Sequence, residues 1–225
     1  MIRLNVIAEG TSEESFVRLV LAPYLGERGI YTVARAVETS RRKGVVTRGG
    51  MTDYGRAKRD ILRWLKQDKG AHVTTMFDLY ALPKDFPGYL EVQDQDPHSR
   101  ASRLEKKFEE DVSDLRFVPY LQVHEFESLL FSDVEVIDRE LTVEEQPSCL
   151  DQLKSIRDSF ETPEHIDDGF ETCPSRRLTK LFPRYQKVTD GIRVIEQIPV
   201  ATLRTECNHF SAWLSRLEAL NAPQG

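Results

Sequence analysis

Short apolar runs alternate with helical patterns through the first 125 residues, and this alternation constrains the fold more than any other feature of the chain. Four runs rich in apolar and β-branched residues predict strands, and segments with amphipathic helical spacing separate them. The order strand–helix–strand–helix–strand–helix–strand favours a four-stranded, largely parallel sheet flanked by helices, which is an α/β fold. The predicted strands cover residues 2–8, 30–37, 72–77 and 115–123.

The second half of the chain has no convincing strand pattern. From residue 134 onward the spacing is helical, and the closing segment "HFSAWLSRLEAL" carries an apolar stripe. We therefore expect an α/β core over residues 1–133 and a helical C-terminal region over residues 134–225 that packs on it. The total of 225 residues is long enough to bury a sizeable core.

Hydropathy and cysteine content indicate where the protein resides. No apolar stretch approaches the ~20 residues that cross a bilayer, and the first strand begins too early to leave room for a signal peptide. The three cysteines are widely spaced and form neither a CxxC metal pair nor a disulfide framework. We therefore expect a cytoplasmic protein with no membrane association.

The first strand ends in an unusual way, in the stretch "RLNVIAEGTSEESFVRLV". Thr11 is predicted to cap the following helix, with Glu14 at the third helical position of a capping box. Glu13 falls in the first helical turn, where the helix dipole favours any acid, so a structural and a functional role are equally open. Glu9 precedes the cap and has no capping role, which makes it a candidate functional residue.

Acids also follow two later predicted strands. Asp78 comes after the third strand, and Glu125 and Glu127 come after the fourth. In open parallel sheets, ligands bind outside the carboxyl ends of the strands, so neighbouring strands would bring these carboxylates together. Such a cluster requires cations, and oxygen ligands suit Mg²⁺ or Mn²⁺ better than zinc. Two alternatives stay open: Asp78 as a turn residue, and a non-catalytic role for Glu125 or Glu127, which would not share a helix face.

Basic residues are clustered although the net charge is −6. The stretch "SRRLTKLFPRYQK" contains no acid, and the glycine-bearing segment 40–51, predicted as an exposed loop, is also basic. Such clusters hold nucleic-acid phosphates without reading sequence, while the structural alternative is an ordinary solvated surface. The candidate nucleic-acid-binding residues are Arg41, Arg42, Lys43, Arg48, Arg176, Arg177, Lys180, Arg184 and Lys187.

Five blocks together resemble a known family. "EGTSEESF", "FDLYALPKDFPG", "YLQVHEFESLLFSD", "PSRRLTKLFPRYQKVTDG" and "CNHFSAWLSRLEAL" are similar, in this order, to the bacterial domain-of-unknown-function family numbered 4276. That family is grouped with the Toprim-like proteins, whose fold is shared by topoisomerases, primases and the overcoming-lysogenization-defect nucleases. The resemblance implies a parallel sheet with a Glu after the first strand and a DxD after a later one, which bind divalent metal for phosphodiester chemistry.

Carried onto this sequence, the resemblance gives Glu9 the position of the Toprim glutamate and Glu13 that of the second acid in the nuclease-type ExxxE variant. Asp78 matches the first Asp of the DxD, but Tyr80 stands where the second would be. The carboxylates of "HEFE" are expected to supply what Tyr80 does not. The resemblance also implies an ATPase partner, because relatives are often encoded beside ATPases in bacterial defence systems.

Our leading hypothesis is therefore a Mg²⁺- or Mn²⁺-dependent nuclease acting on DNA or RNA. Its catalytic residues are expected to be Glu9, Asp78 and Glu125, and Glu13 and Glu127 are expected to join them as metal ligands. The main alternative is a non-catalytic Toprim-like regulatory module that docks on an ATPase. A weaker one is a phosphohydrolase acting on nucleotides. Zinc-protease chemistry is disfavoured, because "HEFE" lacks the second His of HExxH.

Overall fold

The structure, a computed structural model, confirms an α/β protein with a parallel sheet flanked by helices. It describes residues 1–42, 45–48, 53–143, 146–166, 169 and 171–222. The side chains of residues 38–42, 45–48 and 81 lie outside that description.

The strands follow the predicted order, with additions. They are β1 (Ile2–Ala8), β2 (Ile30–Ala36), β3 (Glu38–Arg42), β4 (Val45–Arg48), β5 (Ala71–Asp78), β6 (Phe117–Val118) and β7 (Leu121–Gln122). The main sheet has the order β2-β1-β5-β6, with β7 also pairing with β5, and every pair in it is parallel. Strands β3 and β4 form a separate antiparallel hairpin.

Helices cover the sheet and build the second half of the chain. In the first half they are α1 (Thr11–Phe16), which continues through a π-helical turn (Val17–Leu21) into α2 (Ala22–Gly26), then α3 (Tyr54–Gln67) and α4 (Pro97–Val112). In the second half they are α5 (Val134–Leu141), α6 (Leu150–Asp158), α7 (Pro174–Leu181), α8 (Lys187–Ile195), α9 (Val200–Glu206) and α10 (Asn208–Glu218). Short 3₁₀ helices lie at Leu79–Ala81, Phe126–Ser132, Pro163–His165 and Ala219–Asn221.

Both faces of the sheet are buried, which explains why its strands read as nearly continuous apolar runs. Val6 of β1 belongs to a core shared with α1 and with the helical half. Val73 of β5 belongs to a second core, formed with α3 and α4 on the other face. In the first core the Phe16 ring lies 5.6 Å from that of Phe126 and 6.2 Å from that of Phe210. Residues on both sides of position 133 therefore share one hydrophobic core.

Two local predictions need correction. The predicted strand 115–123 is reduced to the two-residue strands β6 and β7, because Pro119 between them has no N–H to continue a ladder. The Tyr120 amide donates instead to the Thr75 hydroxyl at 3.0 Å. The segment predicted as an exposed loop contains the β3–β4 hairpin, in which Arg41 pairs with Val46.

The prediction of a helical second half is confirmed: the described residues after 133 form helices and turns and contain no strand. Among the described helices, none combines the length and the apolar character that crossing a membrane requires. The last helix, α10, buries the predicted apolar stripe at Phe210, Trp213, Leu214 and Leu217. This stripe attaches the helical half to the sheet, since the Trp213 Nε1 donates to the hydroxyl of Thr74 in β5 at 2.9 Å.

Candidate functional site

The carboxyl ends of β1 and β5 lie side by side, because these strands are neighbours in the sheet. Ala8 pairs with Met76, and the Glu9 amide donates to the Met76 carbonyl at 2.9 Å. The Glu9 Oε2 atom accepts a hydrogen bond of 2.9 Å from the Asp78 amide. The two acids predicted to converge at this edge therefore lie together, and both are buried.

Glu13 lies near Glu9 and Asp78 because its side chain caps the start of α1. Gly10 has an extended backbone, so the helix begins at Thr11 and its third position is Glu13. The Glu13 Oε2 atom accepts a hydrogen bond of 2.9 Å from the Gly10 amide. The predicted capping box, with Thr11 as cap and Glu14 at the third position, is therefore wrong by one residue. A Cβ atom at position 10 would lie 3.0 Å from that same oxygen, so glycine leaves room for the carboxylate.

The segment after β7 is bound to the same edge. The Asp78 Oδ1 atom accepts a hydrogen bond of 3.0 Å from the Phe126 amide, and the Tyr80 amide donates to the His124 carbonyl at 3.0 Å. His124 has a left-handed backbone with φ of 61°, which turns the chain sharply at this point. These contacts bring the end of the fourth predicted strand to the first and third. Tyr80, two residues after Asp78, is 47% exposed.

Glu127 lies in the first turn of the 3₁₀ helix Phe126–Ser132 and is completely buried. Its Oε2 atom is 2.9 Å from the Nζ of Lys187, the first residue of α8. The same Nζ lies 3.8 Å from the Asp78 Oδ2 atom. The Tyr185 hydroxyl is 3.5 Å from the other Glu127 oxygen. Lys187, predicted to bind nucleic acid with the rest of the basic run, therefore lies inside the acidic cluster.

The charges in this cluster are strongly coupled. Burial raises the pKa of Asp78 well above its usual value; the Lys187 ammonium opposes this, while Glu13, Glu9 and Glu127 raise it further. Burial also raises the pKa of Glu127, to about 7, although Lys187 acts in the opposite direction. Burial lowers the pKa of Lys187, but the charges of Asp78 and Glu127 outweigh it and raise that pKa above its usual value. The cluster thus contains more carboxylates than one ammonium can neutralise.

Glu125 is oriented differently from Glu127, as their spacing predicts. Its Oε1 atom accepts a hydrogen bond of 2.6 Å from the amide of Ser175, in the first turn of α7. The first amides of a helix have no partner within the helix, so a buried carboxylate stabilises them. Glu125 therefore caps α7 and connects the helical half to the site. Its negative charge also raises the pKa of Glu127, after the larger effects of burial and Lys187.

The other predicted basic residues have different surroundings. Arg177 is held in place, because its Nε donates to the Thr172 carbonyl and its guanidinium lies 5.4 Å from the centre of the Phe160 ring. The exposed basic side chains on or just after α7 include those of Arg176, Lys180 and Arg184. Arg41, Arg42 and Arg48 belong to the β3–β4 hairpin, and Lys43 lies outside the described residues.

The model of the family described as "Domain of unknown function (DUF4276)" matches residues 8–218. The chain belongs to the DUF4276 family. The matched region contains all five acids discussed above, together with Lys187. No curated protein matches the chain, and no solved structure matches it.

A buried polar network fixes the loop of this DUF4276 protein that carries Glu125 and Glu127. The Tyr120 hydroxyl donates to the Gln122 Oε1 at 2.7 Å, and the Gln122 Nε2 donates to the Ser128 Oγ at 3.0 Å. The Ser128 hydroxyl donates to the Val123 carbonyl at 3.3 Å. Sequence reasoning missed these residues, because polar side chains next to a short strand carry no specific signal. They hold the loop against β5.

Sequence reasoning also missed the role of Lys187. In the sequence, Lys187 stands in a basic run and at the start of a helical pattern. Neither feature indicates that its side chain points toward the acidic cluster. In the described part of the chain, no three His, Cys, Asp or Glu side chains are arranged so that they could hold a metal ion as they stand. The cluster is a group of buried carboxylates with one ammonium among them.

Proposed function

We propose that this DUF4276 protein is a metal-dependent nuclease that hydrolyses phosphodiester bonds of DNA or RNA at the acidic edge of its sheet. The supporting observation is the contact between Glu9 and Asp78, which are 69 positions apart in sequence and are joined by a hydrogen bond at neighbouring strand ends. Because carboxylates in close proximity repel one another, their burial together favours a site for a cation. We also propose that the fold is Toprim-like, with Glu9 and Asp78 in the positions of its glutamate and first aspartate.

The donor chemistry fits Mg²⁺ or Mn²⁺, which prefer carboxylate oxygens. Glu13, Glu9 and Glu127 lie close enough to Asp78 for their charges to raise its pKa, after the larger effects of burial and of the opposing Lys187, so four carboxylates gather at this edge. Glu9, Glu13, Asp78 and Glu127 would hold the cation. Once bound, such an ion polarises the scissile phosphate and lowers the pKa of an attacking water.

The chain's own groups supply the remaining chemistry in this proposal. The Lys187 ammonium, 3.8 Å from Asp78 and 2.9 Å from Glu127, is placed to stabilise the negative charge that develops on a phosphate held at the cluster. Glu127, which is completely buried beside the Lys187 ammonium, would hold the cation and keep that lysine at the site. Glu125 positions the loop by capping α7.

The exposed basic residues on and after α7 are proposed to bind the nucleic-acid backbone. Arg176, Lys180 and Arg184 all reach solvent, and Arg184 is separated from Lys187 by only two residues. Arg41, Arg42, Lys43 and Arg48 are proposed to add contacts that depend on charge and not on nucleic-acid sequence.

Two observations favour a second function. Lys187 already neutralises part of the cluster, and Tyr80 replaces an acid that the Toprim pattern requires. Both features suit a non-catalytic regulatory module that keeps the fold and docks on an ATPase. Under this alternative the cluster stabilises the junction between the sheet and the helical half.

The two functions are separated by assaying purified full-length protein on labelled single- and double-stranded DNA and on RNA, with Mg²⁺, with Mn²⁺ and with EDTA. The proposal predicts cleavage that requires the metal and falls at least 100-fold in Glu9→Gln and Asp78→Asn, because each substitution removes a ligand charge. Glu14→Gln, in α1 next to Glu13 but outside the cluster, is the control and should cleave like the wild type. Activity that survives in both cluster variants, or no cleavage of any substrate, would favour the regulatory module.

A further inference from the structure

Three of the five histidines in the chain gather at one place, far from the acidic cluster in sequence. The ring centroids of His98 and His165 are 4.4 Å apart, and those of His98 and His209 are 6.1 Å apart. They come from three elements: the start of α4, the 3₁₀ helix Pro163–His165 and the start of α10. We refer to these three histidines and their carboxylate partners as the histidine seam.

Two of the histidines face well-buried carboxylates. The His209 Nε2 lies 2.9 Å from the Glu105 Oε1 atom, and the His98 Nε2 lies 3.2 Å from the Glu164 Oε2 atom. Glu164 is completely buried, and Glu105 is 8% exposed. When the imidazoles are protonated, both contacts are ion pairs with limited access to water, where charge attraction is screened less than at the surface.

The third pair is more exposed. The His165 Nε2 lies 3.6 Å from the Oδ1 atom of Asp96, which also caps α4, and its Nδ1 is 2.9 Å from the Thr162 hydroxyl. With this pair included, three histidines face three carboxylates among the residues that the structure describes.

All three pairs cross the same boundary. On one side are α4 and its capping residue, which belong to the first half of the chain and pack on the sheet. On the other side are the 3₁₀ helix Pro163–His165 and α10, which belong to the helical half. Each half contributes both histidine and carboxylate to the seam. A proton gained or lost there therefore changes the attraction between the two halves.

The buried carboxylates are also fixed by backbone contacts. Both Glu164 oxygens accept amides at the start of α10, from His209 and Phe210, at 2.9 Å each. The Glu105 Oε1 accepts the Leu121 amide of β7 at 2.8 Å. Because backbone amides hold these two carboxylates in position, the carboxylates do not move with the histidines. Each histidine–carboxylate contact therefore forms or breaks without a shift of the carboxylate. In the part of the chain that the structure describes, titratable or charged groups next to the seam include Tyr120, Cys207, Lys106, Glu109 and Arg216.

We propose that the histidine seam is a proton-dependent clamp, which fastens the helical half onto α4 while His209 is protonated and loosens as the pH rises. This proposal is independent of the nuclease proposal. The direction of the pH dependence follows from His209. Burial lowers the pKa of His209, but Glu105 and Glu164 outweigh burial and raise that pKa above its usual value. Its contribution to stability is fully present below the pKa of an unfolded histidine and is lost as the pH rises through the higher folded pKa.

Two measurements on the full chain test the clamp. The first is an NMR titration of the histidine ring protons, which reports the pKa of each imidazole directly. The second is urea unfolding at intervals from pH 6.5 to 8.5. Each proton that the folded seam releases should raise the unfolding constant by up to about tenfold per pH unit. His209→Asn should flatten this dependence, and Glu105→Gln should flatten it while keeping an acceptor for the Leu121 amide.

His72→Asn is the matched control. His72 lies on β5, outside the seam, and burial, with Arg116, lowers the pKa of its imidazole, so it releases no proton on unfolding above pH 6.5. This variant should keep the wild-type slope. A His209 pKa at or below 6.5, or equal slopes in wild type and His209→Asn, would overturn the proposal. If His209→Asn does not fold, the wild-type titration alone decides.

Discussion

Substituting Glu127 by Gln should stabilise this protein while abolishing its proposed activity. Glu127 is completely buried, and burial raises its pKa from 4.5 to about 7 in spite of the opposing charge of Lys187. The folded state therefore binds the proton of this carboxyl more tightly than the unfolded state does. It follows that wild-type stability is lost as the pH rises from 4.5 through about 7. Glutamine resembles the protonated acid and does not carry this penalty.

The size of the change in stability follows from the pKa shift of Glu127. Each pKa unit corresponds to ~1.4 kcal/mol, so the ionised carboxylate costs the folded state about 3 kcal/mol above pH 7. Because glutamine is an imperfect mimic of the protonated acid, we expect Glu127→Gln to raise the free energy of unfolding by about 2 to 3 kcal/mol at pH 8. The difference should shrink as the pH falls and vanish near pH 4.5.

Urea unfolding of both proteins in EDTA, from pH 4.5 to 8.5, measures this difference without bound metal. Glu14→Gln, which removes a carboxyl outside the cluster, is the control and should follow the wild-type profile. Parallel profiles for Glu127→Gln and wild type, or a variant that is less stable at every pH, would refute the reasoning. A gain in stability that depends on pH, together with loss of cleavage, would mark Glu127 as a residue kept at a cost in stability.

Three further substitutions test how the site is held in place. Thr74→Val should cost about 2 to 3 kcal/mol in urea unfolding, because it leaves the buried Trp213 Nε1 and the Val118 carbonyl without the hydroxyl that they contact at 2.9 Å and 2.5 Å. Glu164→Ala should cost about 1 to 3 kcal/mol and speed hydrogen exchange of the first amides of α10, which lose their acceptor. Glu125→Ala should cost about 1 to 2 kcal/mol, while Glu125→Gln, which keeps an acceptor for the α7 amide, should cost less.

The parallel sheet, and the placement of Glu9 and Asp78 directly after two of its strands, could be predicted from the sequence. Buried parallel strands have a clear apolar signature, and acids placed directly after them collect at one edge if the strands are neighbours. Which strands are neighbours could not be predicted from the sequence, because the strand order β2-β1-β5-β6 depends on how the helices pack and not on any single strand. The position of the helix cap was missed by one residue, since Thr11 and Gly10 are both acceptable caps.

The parts of the site that sequence could not predict depend on side-chain direction and on distant pairing. Lys187 begins a helix whose packing turns its ammonium toward Asp78, and nothing in a basic run distinguishes an inward from an outward lysine. The histidine seam could not be predicted from the sequence for a similar reason. His98, His165 and His209 stand in unrelated contexts along the chain, and only the docking of α10 and Pro163–His165 against α4 brings them together.

A metal ion at the acidic edge of the sheet can be detected directly by the anomalous scattering of crystals of this protein soaked in Mn²⁺. We expect a strong peak within coordination distance of the carboxylates of both Glu9 and Asp78, and its loss in Asp78→Asn crystals soaked in the same way. Saturating Mn²⁺ that leaves this edge of the sheet without a peak, while the wild-type fold is intact, would contradict the proposed metal-dependent nuclease.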